Sequence, residues 1–423
     1  MLTCLALMVS TSLLGATALE AVPVTDADAP TGMIEIRGVG AGEFDAALWQ
    51  GGMLHLLPDE RHPFLEPRPG RFRNIYAPSI VKLPEGWRIF YGGFDGIETG
   101  NDFIYQVDTP DFMSFGERHT VISHGDFIHV CNVNAFRNPD GSFEMMCTVY
   151  PDPGGNNKPG YFSSPDGETW NDSPMPYHAT LDDLVTIEGY EDYEGADING
   201  MNVLLREGDK RRIYHNDFHN MGTVFRATGT DGQHFEFEQG VLETPYFVND
   251  VKVFQDEGQD WYLMGLHRNT QGLWYSLSND GLEFEPTQEL LTPLGDEDNY
   301  IVAIGWVREG NQILGVLYGA GAVPVLNENR IFARWLQHRV VFEAEDGTRY
   351  EAESSYGPER QRFALPAEGP VSGVFHVYAE DGETPVGEPI PATLTPGEVW
   401  EIRSRLEIPT SWGCIPARPT EDG

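Results

Sequence analysis

Apolar and polar residues alternate in short runs along most of the chain, and no segment of useful length repeats its apolar residues at helical spacing. The runs are rich in β-branched and aromatic residues and are separated by turns rich in Gly, Asp, Asn and Pro, a pattern typical of β-strands. The pattern therefore predicts an all-β protein and gives little support to a doubly wound α/β fold.

A strand pattern recurs with a period of roughly 50 residues, which is the size of a propeller or solenoid repeat. Each copy has an apolar strand, a polar turn, an aromatic second strand and a third strand. The first two strands of the five copies are residues 76–81 with 87–91, 130–136 with 143–150, 201–205 with 212–214, 251–254 with 261–263, and 301–307 with 313–318. This recurrence predicts a five-bladed β-propeller, whereas a two-sheet sandwich predicts no fivefold repeat.

Three of the third strands end in an Asp-Gly pair, at Asp166-Gly167, Asp231-Gly232 and Asp280-Gly281. Glycine readily supplies the positive φ that a tight hairpin needs, so each pair predicts a turn into an outer strand.

The chain divides into four predicted segments. Residues 1–18 are apolar, uncharged and end in small residues, which predicts a signal peptide and a secreted or periplasmic protein. Residues 19–70 are interpreted as a leader packing on the propeller, 71–340 as the propeller, and 341–423 as a C-terminal extension with extra β-strands. No further apolar stretch has the length of about 20 residues that a membrane span requires.

The formal net charge is -39, from 66 acidic and 27 basic residues. Such a chain is a poor ligand for nucleic acid or for an anionic membrane, because both carry negative charge. A solvated acidic surface suited to salty water explains the charge, and attraction of a cationic partner is the alternative.

Cysteine and histidine patterns give no cofactor motif. Cys131 and Cys147 flank a predicted turn and could face each other across a hairpin, either as a disulfide or as two buried thiols. His215 and His219 are four residues apart, but that spacing joins two metal ligands on a helix and this segment follows a strand. We therefore predict no metal and no other cofactor.

In a propeller, the loops before the inner strands open on the same face as the loops that join the second and third strands. These loops carry many polar residues, which must find partners or bind a ligand. The predicted binding residues are Arg73, Asn74, Tyr76, Asp95, His129, Asn132, Asn199, Asp217, His267 and Arg268.

Glycosidic bond cleavage needs one protonated and one ionised carboxyl group. Asp197 and Asp250 are the preferred pair, with Glu194 as a further candidate acid. Lys252 shares a strand face with Asp250 and could hold it ionised, although Asp250 could equally cap a turn or form an ion pair, and Asp197 or Glu194 could be a surface acid. His215 and His267 occupy equivalent places and could assist proton transfer or bind sugar hydroxyls.

The chain resembles the five-bladed β-propeller glycoside hydrolases, the group of families 32, 43, 62, 68, 117 and 130, over about residues 41–340. The resemblance is carried by residues 42–45, 76–81 and 90–93 and by the repeated Ser-x-Asp-Gly turns. It implies sugar-directed hydrolysis, less often phosphorolysis or transfer, in a funnel with an acid, a base and an orienting carboxylate. Two positions depart from the group: Ala77 stands where families 32 and 43 carry Asp before Pro, and Asp197 begins Asp-Ile-Asn-Gly in place of Glu-Gly-Pro, with a similar motif at Glu194.

Three functions follow as hypotheses. The first is a secreted glycoside hydrolase acting on an oligo- or polysaccharide. The second is a carbohydrate-binding propeller without catalysis, which Ala77 favours. The third is a polysaccharide lyase in which His215 or His267 acts with a tyrosine.

Overall fold

The computed structural model describes residues 19–150, 155–295, 298–325 and 327–404, and these ranges form an all-β structure. The predicted signal peptide, residues 1–18, lies outside the described residues, as does the end of the predicted C-terminal extension from residue 405.

The N-terminal segment contributes four short elements to different parts of the fold. They are β1 (Leu19–Val24), β2 (Met33–Arg37), α1 (Ala46–Gly51) and β3 (Leu56–Pro58). Helix α1 begins where the Asp45 carboxylate accepts hydrogen bonds from the backbone N–H groups of Ala47 and Leu48, at 2.9 and 3.1 Å. It ends at Gly52, whose φ of 76° is left-handed.

The first two sheets of the central body follow in chain order. Sheet 1 contains β4 (Phe72–Lys82), β5 (Trp87–Ile97), β6 (Phe103–Thr109) and β7 (Arg118–Ser123). Sheet 2 contains β8 (His129–Arg137), β9 (Phe143–Tyr150) and β10 (Lys158–Ser164). Short elements then lead to the next sheet: the hairpin β11 (Thr169–Trp170) and β12 (Ser173–Pro174), β13 (Tyr177–His178), a 3-10 helix (Leu181–Asp183) and β14 (Thr186–Glu188). Strand β13 pairs in parallel with β7 and so extends sheet 1.

Three more sheets complete the central body. Sheet 3 contains β15 (Val203–Glu207), β16 (Lys210–His215), β17 (Thr223–Gly229) and β18 (His234–Glu243), with β14 parallel to β18. Sheet 4 contains β19 (Phe247–Asp256), β20 (Gln259–Arg268), β21 (Gly272–Ser278) and β22 (Gln288–Leu291). Sheet 5 contains β23 (Tyr300–Glu309), β24 (Gln312–Gly321) and β25 (Arg330–Leu336), and β3 pairs with β25 as its fourth strand.

The predicted first and second strands of the five copies fall on the first two strands of these five sheets. The first strands also contact one another in sequence: β4 with β8, β8 with β15, β15 with β19, β19 with β23, and β23 with β4. The series of contacts therefore closes on itself. At the closing contact the backbones come very close, because a Cβ added at Gly305 of β23 would lie 2.3 Å from the Pro78 carbonyl oxygen of β4.

Polar side chains on the first strands bind the backbone of a neighbouring first strand. The three bonds run from Ala135 N to Ser79 Oγ (3.0 Å), from Leu204 N to Asn134 Oδ1 (3.1 Å) and from Ile304 N to Asn249 Oδ1 (3.3 Å). They satisfy buried N–H groups that adjacent sheets cannot pair through a regular ladder. Much of the polarity on the first strands therefore joins sheets to one another.

The predicted Asp-Gly turns join the third strand to the next strand. The carboxylates of Asp166 and Asp280 each accept hydrogen bonds from two backbone N–H groups that follow them. Gly167 and Gly281 adopt the predicted positive φ, 78° and 69°. Gly232 is not among the residues with positive φ, so the prediction was wrong for that turn, where Asp231 makes the same side-chain bonds without it.

Large aromatic residues fill the spaces between the sheets. Trp170 meets Phe90 of sheet 1 edge to face, with ring centroids 6.0 Å apart. Trp49 of α1 packs edge-on against Tyr275 of sheet 4 and Trp306 of sheet 5, at 5.2 and 5.6 Å. All five rings are buried, so α1 and its neighbours belong to the core of the central body.

The C-terminal strands form two sheets, one of which also contains β1 and β2 from the start of the chain. These strands are β26 (Arg339–Ala344), β27 (Arg349–Glu351), β28 (Ser354–Ser355), β29 (Arg360–Ala364), β30 (Val371–Tyr378), β31 (Ile390–Leu394) and β32 (Val399–Ser404). One sheet has the order β27-β26-β30-β31, and the other has the order β1-β32-β2-β29-β28. Phe342, Phe375 and Trp400 lie in the hydrophobic cluster of these two sheets. The predicted leader is thus divided: β1 and β2 pair with C-terminal strands, while α1 and β3 join the central body.

Candidate functional site

A cavity of about 170 Å³ lies where the first strands of the five sheets begin. All five sheets or their connecting loops contribute to its wall. The lining residues are Tyr76, Asn132, Tyr150, Asn199, Gly200, Met201, Phe218, Phe247, His267, Asn269, Val302 and Ala303. We call this the polar cavity, because amide, phenol and imidazole groups alternate with apolar side chains around it.

The backbone around the polar cavity is irregular in a repeated way. The pairing of three first strands with their second strands shifts by one residue, as a β-bulge does: between Tyr76 and Ser79 of β4, Cys131 and Asn134 of β8, and Val302 and Ile304 of β23. A residue with left-handed φ lies in each bulge: Ala77 (51°), Asn132 (55°) and Ala303 (55°). Such conformations cost free energy for residues other than glycine and concentrate at functional sites. The bulges turn the strand ends so that their side chains and backbone face the cavity.

Four of the predicted binding residues come together in the cavity wall: Tyr76, Asn132, Asn199 and His267. Tyr150 donates a hydrogen bond from its hydroxyl to Asn199 Oδ1 at 3.1 Å, which fixes the orientation of that amide. Asn269 is the amide of the cavity wall that the sequence analysis did not select. The one signal for it was its position after the second strand of its copy.

His267 is held as a neutral imidazole. Its Nδ1 lies 2.8 Å from Asn249 Oδ1, and burial lowers its pKa to about 4. Because an amide oxygen can only accept, Nδ1 carries the proton and donates to Asn249. Nε2 is therefore left as an acceptor, which suits it to bind a hydroxyl group.

Asp250, which we predicted as a catalytic carboxylate, is not among the residues that line the polar cavity. It is buried, and its three hydrogen bonds come from Lys252 Nζ at 2.7 Å, Trp306 N at 3.0 Å and Asn134 Nδ2 at 3.2 Å. The ion-pair alternative considered for Asp250 and Lys252 is thus what the structure contains. Asp250 joins sheets 2, 4 and 5 behind the cavity.

Two other predicted residues, Asp95 and Asp217, are buried within the connecting loops or between strands. Asp95 forms ion pairs with Arg68 and Arg118 at 2.9 and 3.2 Å. Asp217 accepts hydrogen bonds from the backbone N–H groups of Asp197 and His219, so it fixes the shape of its loop.

His215 lies at the end of β16 and is fully buried, packed against Tyr190 and Phe225. Neither ring nitrogen has a hydrogen-bond partner within the described part of the chain, and burial lowers its pKa to about 4. His215 does not line the polar cavity.

The remaining predicted residues lie outside the cavity wall. Arg73, Arg268 and Glu194 are exposed. Asn74 is buried, and its Oδ1 accepts a hydrogen bond from Asn329 N at 2.8 Å, which is a structural contact.

Asp102 is a buried carboxyl group beside the cavity that the sequence analysis missed. It lies directly before β6, and His129 Nδ1 lies 2.8 Å from Asp102 Oδ2 and 3.0 Å from the backbone N of Asp102. Burial raises the pKa of Asp102, whereas the neighbouring His129 and the Tyr76 hydroxyl oppose that rise. A backbone N–H can only donate, so Nδ1 accepts here, and its short contact with Oδ2 is favourable when Asp102 carries a proton. The sequence analysis selected Asp95 from this region, and the loop of Asp102 follows Asp95. The available signal for Asp102 was its position after the second strand of the first copy.

Asp102 precedes Tyr150 in the sequence and Asp197 follows it. Asp197 lies in the loop that leads to Asn199. It is half-buried, and its Oδ1 accepts hydrogen bonds from the backbone N and Nδ2 of Asn157, at 2.9 and 2.6 Å. Burial raises the pKa of Tyr150, and the charges of Asp102 and Asp197 raise it further. Tyr150, in the cavity wall, is therefore within electrostatic reach of both carboxyl groups.

Cys131 and Cys147 are free, buried thiols, which is one of the two alternatives that the sequence left open. Burial raises the pKa of both, so neither is a reactive thiolate. Over the described ranges, no three His, Cys, Asp or Glu side chains gather as metal ligands. The helices of the described residues include none with the length and apolarity to cross a membrane.

No protein-family model matches this chain, and no curated protein matches it. Its structural neighbours include glycoside hydrolases. One is the catalytic domain of the Coprinopsis cinerea family 62 α-L-arabinofuranosidase, with 12% identity, 68% of this chain and 98% of that chain covered, and a TM-score of 0.44. Another is the Bombyx mori family 32 β-fructofuranosidase, with 11% identity, coverage of 83% and 90%, and a TM-score of 0.47. A third belongs to the family 130 mannoside phosphorylases, with 9% identity, coverage of 70% and 96%, and a TM-score of 0.48. These families are among those that the sequence resemblance names.

Proposed function

We propose that the protein is a five-bladed β-propeller, with sheets 1 to 5 as its blades, that hydrolyses a glycosidic bond of a carbohydrate bound in the polar cavity. The closed series of contacts between the first strands supports the propeller. The position of the polar cavity at one end of those strands supports a site shared by all five blades.

The wall of the polar cavity suits a carbohydrate. The amides of Asn132, Asn199 and Asn269 offer both donors and acceptors, as hydroxyl groups of a sugar require. Phe218 and Phe247, whose ring centroids are 5.1 Å apart, give the apolar surface that the C–H face of a sugar ring covers. A few polar groups that converge on a partly apolar cavity are typical of a ligand site.

The observation that carries hydrolysis is the buried carboxyl group of Asp102, which contacts Tyr76 of the cavity wall and whose pKa is raised by burial. A general acid must hold a proton near neutral pH, and burial of Asp102 favours that state, whereas its contact with His129 opposes it. Asp197 supplies a second carboxyl group from the loop of Asn199, and we assign it the role of the base that activates water. Asp250 has no part in this assignment, because its bonds join the blades.

The test compares Asp102→Asn and Asp197→Asn with the wild-type protein for product release from a panel of plant and algal oligosaccharides. Loss of an acid or base typically costs a factor of about 10² to 10⁴, so we expect a fall of at least about 100-fold in kcat with binding retained. Asp183→Asn is the matched control, because Asp183 is also buried with a raised pKa, but its hydrogen-bond partners Asn171, Tyr177 and Thr180 do not line the cavity. Wild-type rates in Asp102→Asn would contradict the assignment.

Carbohydrate binding without cleavage is the second candidate. A specific observation favours it: within the described residues, no Asp or Glu side chain lines the polar cavity. If the wild-type protein binds oligosaccharides and releases no product, and if Asn132→Ala and Asn199→Ala each weaken binding, this function replaces the first.

The lyase alternative requires a tyrosine that readily ionises or passes on a proton. Burial raises the pKa of Tyr76 and Tyr150, the two phenols of the cavity, so tyrosinate is disfavoured in both. His215, one of its two histidines, lies outside the cavity wall. We therefore do not propose a lyase.

A further inference from the structure

A second cavity, of about 360 Å³, lies at the opposite ends of the five first strands. The polar cavity receives residues from the beginnings of these strands, whereas this one receives residues from their second halves. Its charged lining residues are Lys82, Arg137, Arg206, Lys252 and Arg308. Each of these cations lies in the second half of the first strand of a different sheet, so that sheets 1 to 5 contribute one each. We call this the basic cavity.

Carboxylates neutralise some of these cations. Lys82 pairs with Glu309 at 2.6 Å, and Lys252 pairs with Asp250 at 2.7 Å. Arg206 lies 3.3 Å from Glu144, but Glu144 also forms a closer pair with a second arginine outside the cavity. Three of the five cations therefore have at least a partial counter-charge.

Arg137 and Arg308 form no ion pair with any carboxylate of the described residues. The Arg308 Nε donates to the Gly310 carbonyl oxygen at 2.7 Å, and its guanidinium carbon lies 4.9 Å from the ring centroid of Phe254. Burial lowers the pKa of Arg308, with Asp250 as the one charge that opposes it. Two arginines at one cavity thus have no carboxylate of the described residues in ion-pair contact.

The location is unusual for this chain. With 66 acidic and 27 basic residues, a random surface patch would contain more carboxylates than cations. The lining of the basic cavity nevertheless includes five cations and, over the described residues, no Asp or Glu. Ordinary surface neutralisation does not explain this, because it would place carboxylates beside Arg137 and Arg308.

We propose that the basic cavity binds an oxyanion group, a sulfate or carboxylate, either as a free ion or attached to a sugar. Arginine guanidinium groups bind such oxygens through two parallel, charge-assisted hydrogen bonds. The cavity volume falls within the range of about 300 to 1,000 Å³ that small-molecule sites occupy, so it has room for more than a bare ion. This proposal does not rest on hydrolysis in the polar cavity, which lies at the other end of the strands.

The test is calorimetric titration of the full chain, at constant ionic strength in a buffer without phosphate or sulfate, with four probes: sodium sulfate, glucuronate, glucose 6-sulfate and glucose. We expect saturable binding of the anionic probes and none of glucose in this cavity. Arg137→Gln and Arg308→Gln should each weaken that binding at least about tenfold, because each removes a charge-assisted pair. Arg349→Gln is the control, since Arg349 is an exposed arginine away from both cavities.

The probes separate the two sources of the oxyanion. Equal affinity for sulfate and glucose 6-sulfate identifies a free-ion site, whereas tighter binding of the sugar acids identifies a site for an acidic carbohydrate. Absence of saturable anion binding, or equal binding by the wild-type protein and both cavity variants, would overturn the proposal. Arg137 makes no side-chain hydrogen bond within the described residues, so Arg137→Gln keeps the test valid if Arg308→Gln fails to fold.

Discussion

Replacement of Asp250 by alanine separates a structural role from a catalytic one. The carboxylate accepts hydrogen bonds from Lys252 Nζ, Trp306 N and Asn134 Nδ2, and its side chain is 2% exposed. The Lys252 side chain is itself 13% exposed. Asp250→Ala therefore leaves a largely buried ammonium group and a buried backbone N–H without their acceptor.

The expected loss of stability follows from those contacts. Removing one partner of a buried ion pair typically costs about 3 to 5 kcal/mol, and a buried N–H left without an acceptor costs about 1 to 3 kcal/mol. The two losses overlap in one site and are not additive, so we expect Asp250→Ala to lower the free energy of unfolding by about 3 to 5 kcal/mol. Adding Lys252→Met removes the unpaired charge and should restore about 2 kcal/mol of that loss.

Urea unfolding followed by tryptophan fluorescence measures these changes from the midpoints at a common slope. The same preparations are assayed for hydrolysis at a temperature where each variant is folded. A loss below about 1 kcal/mol in Asp250→Ala, or no recovery in the double variant, would refute the structural role. If Asp250→Asn unfolds like the wild-type protein but loses at least about 100-fold in kcat, Asp250 is catalytic and the assignment to Asp102 fails.

Three further predictions concern the core. Burial lowers the pKa of His215 to about 4, so between that value and its ordinary 6.5 the unfolded chain binds a proton that the folded chain does not. The free energy of unfolding therefore falls as the pH drops through this window. His215→Phe should remove about 3 kcal/mol of that fall in urea unfolding at a series of pH values, and an unchanged pH dependence would contradict this. Cys131 and Cys147 should resist iodoacetamide in the native protein and appear unbridged in peptide mass spectra, and a disulfide between them would show the structure to be wrong there. Gly305→Ala should lower the free energy of unfolding by about 1 to 3 kcal/mol, because the added methyl group collides with the neighbouring strand. Gly51→Ala is the control and should not lower it, since a Cβ there meets nothing within 4 Å. Equal effects of the two substitutions would count against the close approach at Gly305.

The strands and their order could be predicted from the local sequence. Apolar runs of period two and Asp-Gly turns placed the first two strands of all five sheets, because alternation and turn chemistry depend on neighbouring residues. Gly232 shows the limit of this reasoning: its turn forms through the Asp231 side chain, and the positive φ was not needed.

Part of the candidate site was also predictable. Tyr76, Asn132 and Asn199 were selected from the loops before the inner strands, and His267 from the loops that join the second and third strands. All four line the polar cavity. The repeat therefore determines which loops meet, even though it does not determine which side chains face the cavity.

Only the tertiary structure decided which carboxyl groups are structural. Asp250 lies within β19 and Asp102 directly precedes β6, so both adjoin apolar strands. Asp250, however, accepts a backbone hydrogen bond from another sheet, whereas Asp102 lies beside the cavity with His129. The backbone group that binds Asp250 is the N–H of Trp306 in β23, which lies 56 residues later in the chain. A single-strand pattern contains no information about that partner.

The sequence by itself thus determined an acidic all-β chain with a fivefold strand repeat, because hydrophobic alternation, turn residues and charge are local properties. The tertiary structure decided the pairing of β1 with β32 and of β2 with β29, the closing contact at Gly305, and the convergence of one cation from each sheet on the basic cavity. Each of these joins residues far apart in the chain, so burial, hydrogen-bond satisfaction and close backbone approach selected them, and those quantities exist only once the chain has folded.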